Sequence, residues 1–181
     1  MQAIERRLQC MIALYYRTYV VRLDVRLPLG YVSMHANAEC SKLMGFLKED
    51  YTYNRISTHY VGVREQNTSD NPHYHLAIFF DGSNEDNGWA VFVKAAAIWR
   101  RIVGPGADVC VQLCQTFKGA NGIKIVRPKA KSIGLDLNNN FTEFNSARRE
   151  AMPWLSYLAK TATKGLAPPK TKGFFCSRLW N

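Results

Sequence analysis

The chain has 181 residues, of which 47% are apolar and 12% aromatic, and it carries 24 Lys and Arg against 14 Asp and Glu. This length suits one domain and the apolar fraction is ample for a core, which excludes the collagen-like, coiled-coil and disordered classes. No apolar stretch approaches the roughly 18 to 20 residues that span a bilayer, so we expect a soluble protein with no membrane partner. The five cysteines form neither an even framework nor paired Cys-x-x-Cys knuckles, which favours reduced thiols and a cytoplasmic location.

The positive charge is concentrated in the second part of the chain. Residues 1–117 hold 12 basic and 11 acidic residues, whereas residues 118–181 hold 12 basic and 3 acidic residues, an excess of +9. Such a one-sided excess is typical of a surface that binds a polyanion, and nucleic acid is the leading candidate. An acidic membrane is the second candidate, although the basic segments are interrupted by Gly and Pro and do not form one long amphipathic helix. A solvated basic surface is the remaining alternative.

The first predicted elements are a helix and a strand. Residues 1–17 form a helical segment with Ile4, Leu8, Met11 and Ile12 on one face. Residues 19–27 alternate, with apolar side chains at the odd positions and Arg22, Asp24 and Arg26 at the even positions, which predicts a half-buried strand. Residues 37–47 then favour a short helix.

The remaining elements predict an antiparallel sheet with helices packed on it. Residues 57–65 and 73–80 are β-prone and read as a hairpin around the polar stretch 66–72. A helix over 89–103 ends at Gly104-Pro105-Gly106, strands follow at 109–117 and 122–126, and a second helix covers about 144–164, interrupted or restarted at Pro153. This order predicts a single α+β domain over residues 1–181, closed by a basic C-terminal tail at 165–181.

A His-x-His pair marks the second strand of the hairpin. His73 and His75 are two residues apart, so both imidazoles point to the same face and can bind one cation. Hairpin pairing can bring the carboxylate of Glu65 beside His73, and two nitrogens with a carboxylate oxygen suit a divalent metal with open positions. The alternative is one hydrogen-bonded core histidine and one surface histidine.

The second long helix carries a tyrosine away from its apolar side. At about 100 degrees per residue, the side chains of Leu155 and Leu158 cluster on one side, while Tyr157, Lys160 and Lys164 lie on the opposite side. The hydroxyl can therefore face a substrate, with an ammonium one turn away to contact a phosphate and stabilise a phenolate. A partly exposed tyrosine beside solvated lysines is the alternative.

A His-x-His strand followed about 80 residues later by a Tyr-x-x-Lys helix resembles the HUH endonucleases, which start rolling-circle replication and plasmid transfer. Residues 60–65, 72–82, 154–161 and 173–178 resemble the inovirus-type replication proteins and their prophage relatives of the YagK/YfjJ kind. The opening strand, with Arg22 and Asp24, resembles the first motif of that family. The resemblance touches most of the chain from about residue 19 onward.

The resemblance implies a five-stranded antiparallel sheet with flanking helices and a Mg²⁺ or Mn²⁺ site at His73 and His75. It also implies Tyr157 as the nucleophile. Glu65 is the candidate third ligand, and Asp24 is its rival because it lies on the polar face of a strand that can neighbour the His strand.

The implied reaction is a transesterification on single-stranded or hairpin DNA that leaves a 5′-phosphotyrosine link on Tyr157 and a free 3′-hydroxyl. The cations expected to hold the DNA are Lys124, Arg127, Lys129, Lys131 and Lys164. Core packing is the expected role of Trp99, Phe117 and Trp154, and stacking on bases is the alternative for each.

Two other functions and one partner complete the expectations. The chain has no Gly-x-x-x-x-Gly-Lys stretch, so a host or element-encoded helicase is an expected partner. The alternatives to a strand transferase are a catalytically degenerate DNA-binding regulator with the same fold and a metal phosphoesterase that uses water, for which Tyr157 is dispensable.

Overall fold

The computed structural model describes residues 1–33, 37–65, 71–128, 137–160 and 171–179. They contain four α-helices, one 3-10 helix and six strands. In chain order they are α1 (Gln2–Leu14), β1 (Arg17–Arg26), α2 (Ala38–Tyr53), β2 (Thr58–Glu65), β3 (His73–Asp81), α3 (Gly88–Val103), a 3-10 helix (Ala107–Cys110), β4 (Val111–Cys114), β5 (Ile123–Val126), α4 (Leu137–Lys160) and β6 (Phe174–Cys176).

The strands form one antiparallel sheet in the order β4-β1-β3-β2-β6, with β5 also paired to β1. β4 pairs with residues 22–25 of β1 and β5 pairs with residues 17–20, so these two short strands lie end to end along the same edge. The α+β prediction is confirmed. The sheet has the expected five positions across its width, but it contains six strands because β4 and β5 share one edge position. The segment predicted as a C-terminal tail contributes β6 to the sheet beside β2, which corrects that prediction.

One face of the sheet packs against α2 and α3. The odd-numbered apolar residues of β1 share a buried cluster with Leu43 and Leu47 of α2 and with Trp99 of α3. Asn87 caps α3, since its side chain accepts hydrogen bonds from the backbone N–H groups of Trp89 and Ala90. The alternation read from the sequence therefore places this half of the core correctly.

The other face packs against α1 and α4. Val20 of β1 and Phe79 of β3 share a second buried cluster with Ile4 of α1 and with Trp154 and Leu155 of α4. The expectation of a half-buried first strand was therefore wrong, because the helix-covered second face buries even-numbered residues of β1 as well.

Several element bounds differ from the predictions. α2 continues to Tyr53, β4 is shorter than expected because residues 107–110 wind into a 3-10 helix, and α4 begins at Leu137. α4 also runs through Pro153 without restarting. A proline inside a helix costs about 3 kcal/mol, and burial of Trp154, Leu155 and Leu158 directly after it offsets that cost.

None of the helices in the described residues is long and apolar enough to cross a membrane. All five cysteines are free thiols, and Cys40 is buried.

Candidate functional site

Three neighbouring strands bring polar side chains to one end of the sheet. Asp24 of β1 lies opposite His75 of β3, and Glu65 of β2 lies opposite His73. Opposed residues of paired strands share a face, and so do residues two apart in one strand. All four side chains therefore lie on the face covered by α1 and α4, at the C-terminal end of β1. The hairpin prediction that placed Glu65 beside His73 is confirmed.

His75 lies between two carboxylates at the centre of this group. Its Nδ1 is 2.7 Å from Asp24 Oδ1, and its Nε2 is 2.9 Å from Glu65 Oε2. Burial alone would lower the pKa of His75, but the hydrogen bonds to Asp24 and Glu65 outweigh burial and raise it. Burial acts to raise the pKa of Asp24, yet its contacts with His75 hold that pKa below the usual value. Without a cation, the two carboxylates thus stabilise a proton on each ring nitrogen of His75, and a cation that binds this ring would replace one of those protons.

His73 differs from His75 in charge and in contacts. Burial and the adjacent charge of His75 lower the pKa of His73 to about 4, so its ring is neutral near pH 7. Its Nε2 lies 3.7 Å from Asp24 Oδ2 and its Nδ1 lies 3.9 Å from Glu65 Oε2, both longer than a hydrogen bond. Within the described residues, the buried Nε2 atom has no hydrogen-bond partner. A neutral imidazole with an unsatisfied nitrogen is a suitable metal ligand.

The donor atoms are close enough to hold a cation. One carboxylate oxygen of Asp24 and one ring nitrogen each of His73 and His75 all lie within 4.8 Å of one another. Nitrogen and carboxylate donors together suit a divalent metal ion, and the orphaned nitrogen of His73 fits such a ligand. Glu65 lies beside this trio through its contact with His75. Cys114 adjoins Asp24, but burial raises the pKa of its thiol to about 12, so it is protonated.

Tyr157 of α4 stands against the cluster. Its ring centroid is 5.9 Å from that of His75, edge to face, and the residue is 50% exposed. Leu155 and Leu158 on either side are fully buried, as the helical wheel predicted. Because α4 packs on the sheet face that carries the histidines, Tyr157 and the three candidate metal ligands form a single site.

Arg22, which the sequence placed in the first motif with Asp24 but without a role, lies at the site. It lies two residues before Asp24, is 6% exposed, and donates a hydrogen bond from Nη1 to the Trp154 carbonyl at 2.9 Å. Its Cζ atom is 5.0 Å from the ring centroid of Tyr157 and 5.4 Å from that of Trp154. Arg22 thus links the strand of Asp24 to the helix of Tyr157. The signal in the sequence was an arginine on the same strand face as Asp24, but a partner on α4 could not be read from it.

The predicted DNA-binding cations do not all meet at this site. Lys124 lies opposite Tyr19, five residues before Asp24, which is about 17 Å along the strand. It is on the other face of the sheet and pairs with Asp86. Arg127 donates to the Ala13 carbonyl at 2.8 Å.

The other predicted cations cannot be placed in the same way. Lys160 ends α4, one turn after Tyr157, but its side chain lies outside the described part of the chain. Lys129, Lys131 and Lys164 are also outside the described residues.

The three aromatic residues considered for base stacking differ in their burial. Trp99 and Trp154 are buried in the two cores, as expected. Phe117 is 75% exposed, so the expectation of core packing was wrong for that residue.

Comparison with protein-family models identifies the family of this chain. No curated protein matches the sequence. The family described as the YagK/YfjJ C-terminal domain matches residues 1–177, nearly the whole chain. The chain therefore belongs to the YagK/YfjJ C-terminal domain family.

Proposed function

We propose that this protein is a metal-dependent endonuclease and strand transferase that cuts single-stranded DNA and initiates rolling-circle replication. The observation that carries the proposal is the position of Tyr157, half exposed and edge-on to His75, beside three candidate metal ligands. An accessible side chain that could act as nucleophile thus lies next to a group that could hold a cation, the combination that phosphoryl transfer requires. The family description names no activity, so the proposal rests on this geometry and on the resemblance to HUH endonucleases.

The residues of the site divide the chemistry among them. Asp24, His73 and His75 would hold Mg²⁺ or Mn²⁺, and Glu65 would keep the ring of His75 oriented through its hydrogen bond. The bound cation would withdraw charge from the non-bridging oxygens of the scissile phosphate.

The proposed reaction exchanges one phosphate ester for another. The hydroxyl oxygen of Tyr157 attacks phosphorus and loses its proton, a new P–O bond forms to the tyrosine, and the bond to the 3′ oxygen breaks. The DNA leaves with a 3′-hydroxyl, and the protein keeps a 5′-phosphotyrosine link. A later 3′-hydroxyl can reverse the attack and rejoin the strand, since the ester bond is conserved. Lys160, one turn along α4, is the proposed phosphate contact.

The basic second part of the chain supports DNA as the substrate class. Residues 118–181 hold 12 basic and 3 acidic residues, and this excess of +9 would attract the phosphate backbone. Affinity for single-stranded DNA would then fall as salt rises. A separate helicase would supply unwinding.

The test uses Tyr157→Phe, which removes only the hydroxyl from a half-exposed side chain. Wild-type protein is incubated with single-stranded oligonucleotides and Mn²⁺, and covalent adducts are resolved on a denaturing gel. We expect the variant to bind DNA and Mn²⁺ but to form no adduct and no cut product. Tyr53→Phe is the matched control, because Tyr53 is an exposed tyrosine at the end of α2. This variant should cleave DNA at the wild-type rate.

Two results would replace the proposal. Wild-type cleavage by Tyr157→Phe, with both products free, would favour the phosphoesterase that uses water. Tight binding without cleavage by the wild-type protein, across many oligonucleotides and both cations, would favour the DNA-binding regulator.

A further inference from the structure

A groove of about 450 Å³ lies along the outer edge of β4. The start of α3 forms one wall with Trp89 and Phe92, and the segment after β4 forms the other wall with Gln115 and Asn121. Gln112 of β4 lies between the two walls. This volume is in the range of small-molecule sites, about 300 to 1,000 Å³.

The groove adjoins the proposed active site through the strand register. Gln112 lies opposite Asp24 in the pairing of β4 with β1. Opposed residues share a face and adjacent strands are about 4.8 Å apart, so Gln112 projects on the same face one strand away from Asp24. Trp89 and Phe92 lie on the α3 side of this edge, and Trp89 follows Gly88, which contacts Tyr19 about 17 Å along β1 from Asp24. A chain held at the cation site would therefore cross the sheet edge at Gln112 and reach Trp89 a few nucleotides away.

The lining of the groove combines stacking surface with hydrogen-bonding groups. Trp89 is 56% exposed, and its ring centroid is 4.9 Å from that of Phe92 at an interplanar angle of 43°. Gln112, Gln115 and Asn121 each offer an amide that both donates and accepts. The described lining residues include no charged side chain. The groove therefore suits a neutral planar group with polar edges, and it does not suit a phosphate or an acidic peptide.

The walls of the groove are held in place by Tyr19. The Tyr19 hydroxyl accepts a hydrogen bond from the Gly88 N–H at 3.0 Å, at the first residue of α3. A Cβ atom at Gly88 would lie 2.1 Å from the Asn121 carbonyl oxygen, and one at Gly122 would lie 2.4 Å from the Tyr19 hydroxyl. Both glycines are thus needed for close approach, and helix α3 and the Asn121 segment meet on one buried tyrosine. A groove built this way is preformed and needs little ordering when a ligand binds.

We propose that this groove binds a nucleobase of the single-stranded DNA a few nucleotides from the scissile phosphate, stacked on Trp89, and so gives the enzyme a base preference at that position. Single-stranded bases are recognised by stacking on aromatic side chains and by hydrogen bonds to their edges, which are the two features present. The proposal rests on the proposed function, because it takes the substrate to be DNA at the cation site.

The test is an abasic scan of an oligonucleotide, combined with Trp89→Ala. Binding is measured by fluorescence anisotropy in a Tyr157→Phe background, which prevents turnover. For this parent protein, one abasic position a few nucleotides from the cut site should weaken binding about 5- to 150-fold, the range that stacking of one base on an aromatic ring supplies. Trp89→Ala should weaken binding of the intact oligonucleotide by a similar factor and remove the further effect of that abasic position.

Three controls show whether the effect of Trp89→Ala is confined to the groove. Trp89→Ala keeps the backbone N–H that donates a hydrogen bond to the Asn87 side chain, so α3 should remain capped. Circular dichroism checks that the helix content is unchanged. Gln115→Ala removes an exposed amide of the other wall and should change the preference among bases at the same position. Tyr53→Ala, which removes an exposed aromatic side chain at the end of α2, should leave the scan unchanged.

The outcomes separate this proposal from the function it rests on. If the wild-type protein binds no single-stranded DNA, the proposed function fails. If the wild type binds and cleaves DNA but Trp89→Ala leaves the abasic scan in the Tyr157→Phe background unaltered, only the groove assignment is overturned. A change of oligomeric state in Trp89→Ala by light scattering, with DNA binding intact, would also overturn it and would identify the groove as a protein contact.

Discussion

Arg22→Met should slow strand cleavage without removing the cation site. The substitution keeps an unbranched apolar stem but deletes the hydrogen bond to the Trp154 carbonyl and the guanidinium that lies 5.0 Å from the Tyr157 ring centroid. Loss of one partner of a buried hydrogen bond costs about 1 to 3 kcal/mol, so we expect the free energy of unfolding to fall by that amount. The larger effect should be on the reaction, because a displacement of about 1 Å of a reacting group can reduce a rate by about 100-fold.

The assay compares three quantities for the wild type, Arg22→Met and Arg22→Lys. Adduct formation is followed in single turnovers, Mn²⁺ affinity by calorimetry, and stability by urea denaturation. We expect adduct formation to slow about 10- to 100-fold in both variants, because lysine keeps the charge but lacks the planar guanidinium that contacts both rings. Mn²⁺ affinity should be unchanged in Arg22→Lys and slightly tighter in Arg22→Met, which removes a positive charge two residues from Asp24.

The reasoning would be refuted if folded Arg22→Met formed the adduct at the wild-type rate. It would also be refuted if Mn²⁺ affinity and cleavage fell together by the same factor, since Arg22 would then support the cation site and not the position of Tyr157.

Two further predictions concern the third ligand and the buried histidine of β2. Asp24→Asn should weaken Mn²⁺ affinity more than Glu65→Gln does, because the donor atoms of Asp24 and the two histidines lie within 4.8 Å of one another. The opposite ranking in calorimetry would make Glu65 the third ligand. Burial, with the charges of Arg7 and Lys48, lowers the pKa of His59. The folded state therefore keeps this ring neutral, while the unfolded chain binds a proton below about pH 6.5. As the pH is lowered from about 6.5 toward the depressed pKa of His59, the free energy of unfolding should decrease by at most about 1.4 kcal/mol per pH unit. In urea denaturation with EDTA, His59→Gln should lose less stability than the wild type between pH 7.5 and 5.5, and equal losses would contradict the assignment.

The local half of the site could be predicted from the sequence. The spacing of His73 and His75 fixes a shared face, and a hairpin with a short connection brings Glu65 opposite His73, as the register has it. Both inferences need only the period of a strand and the pairing of neighbouring segments. The pairing of β1 with β3 joins segments about fifty residues apart, and the sequence alone does not choose among possible neighbours. For that reason Asp24 was only a rival to Glu65, although its register with His75 brings it into the trio.

The position of the tyrosine depends on packing that spacing alone does not reveal. The helical wheel correctly separates Tyr157 from Leu155 and Leu158, but it gives an orientation about the helix axis and not the place where the helix lies. That place is set by Trp154, which is buried in the sheet-facing core and whose indole N–H donates to the Gln115 carbonyl at 3.1 Å.

Trp154 also accepts the hydrogen bond of Arg22 through its carbonyl, so one residue ties α4 both to the segment after β4 and to the strand of Asp24. Tyr157 follows it by three residues, close to one helical turn, and therefore stands on the flank of the helix that borders the histidines. Tyr157 and the candidate cation site are thus brought together by a tryptophan that has no place in the Tyr-x-x-Lys pattern. A core substitution at Trp154 is for this reason expected to disturb the chemistry as well as the fold.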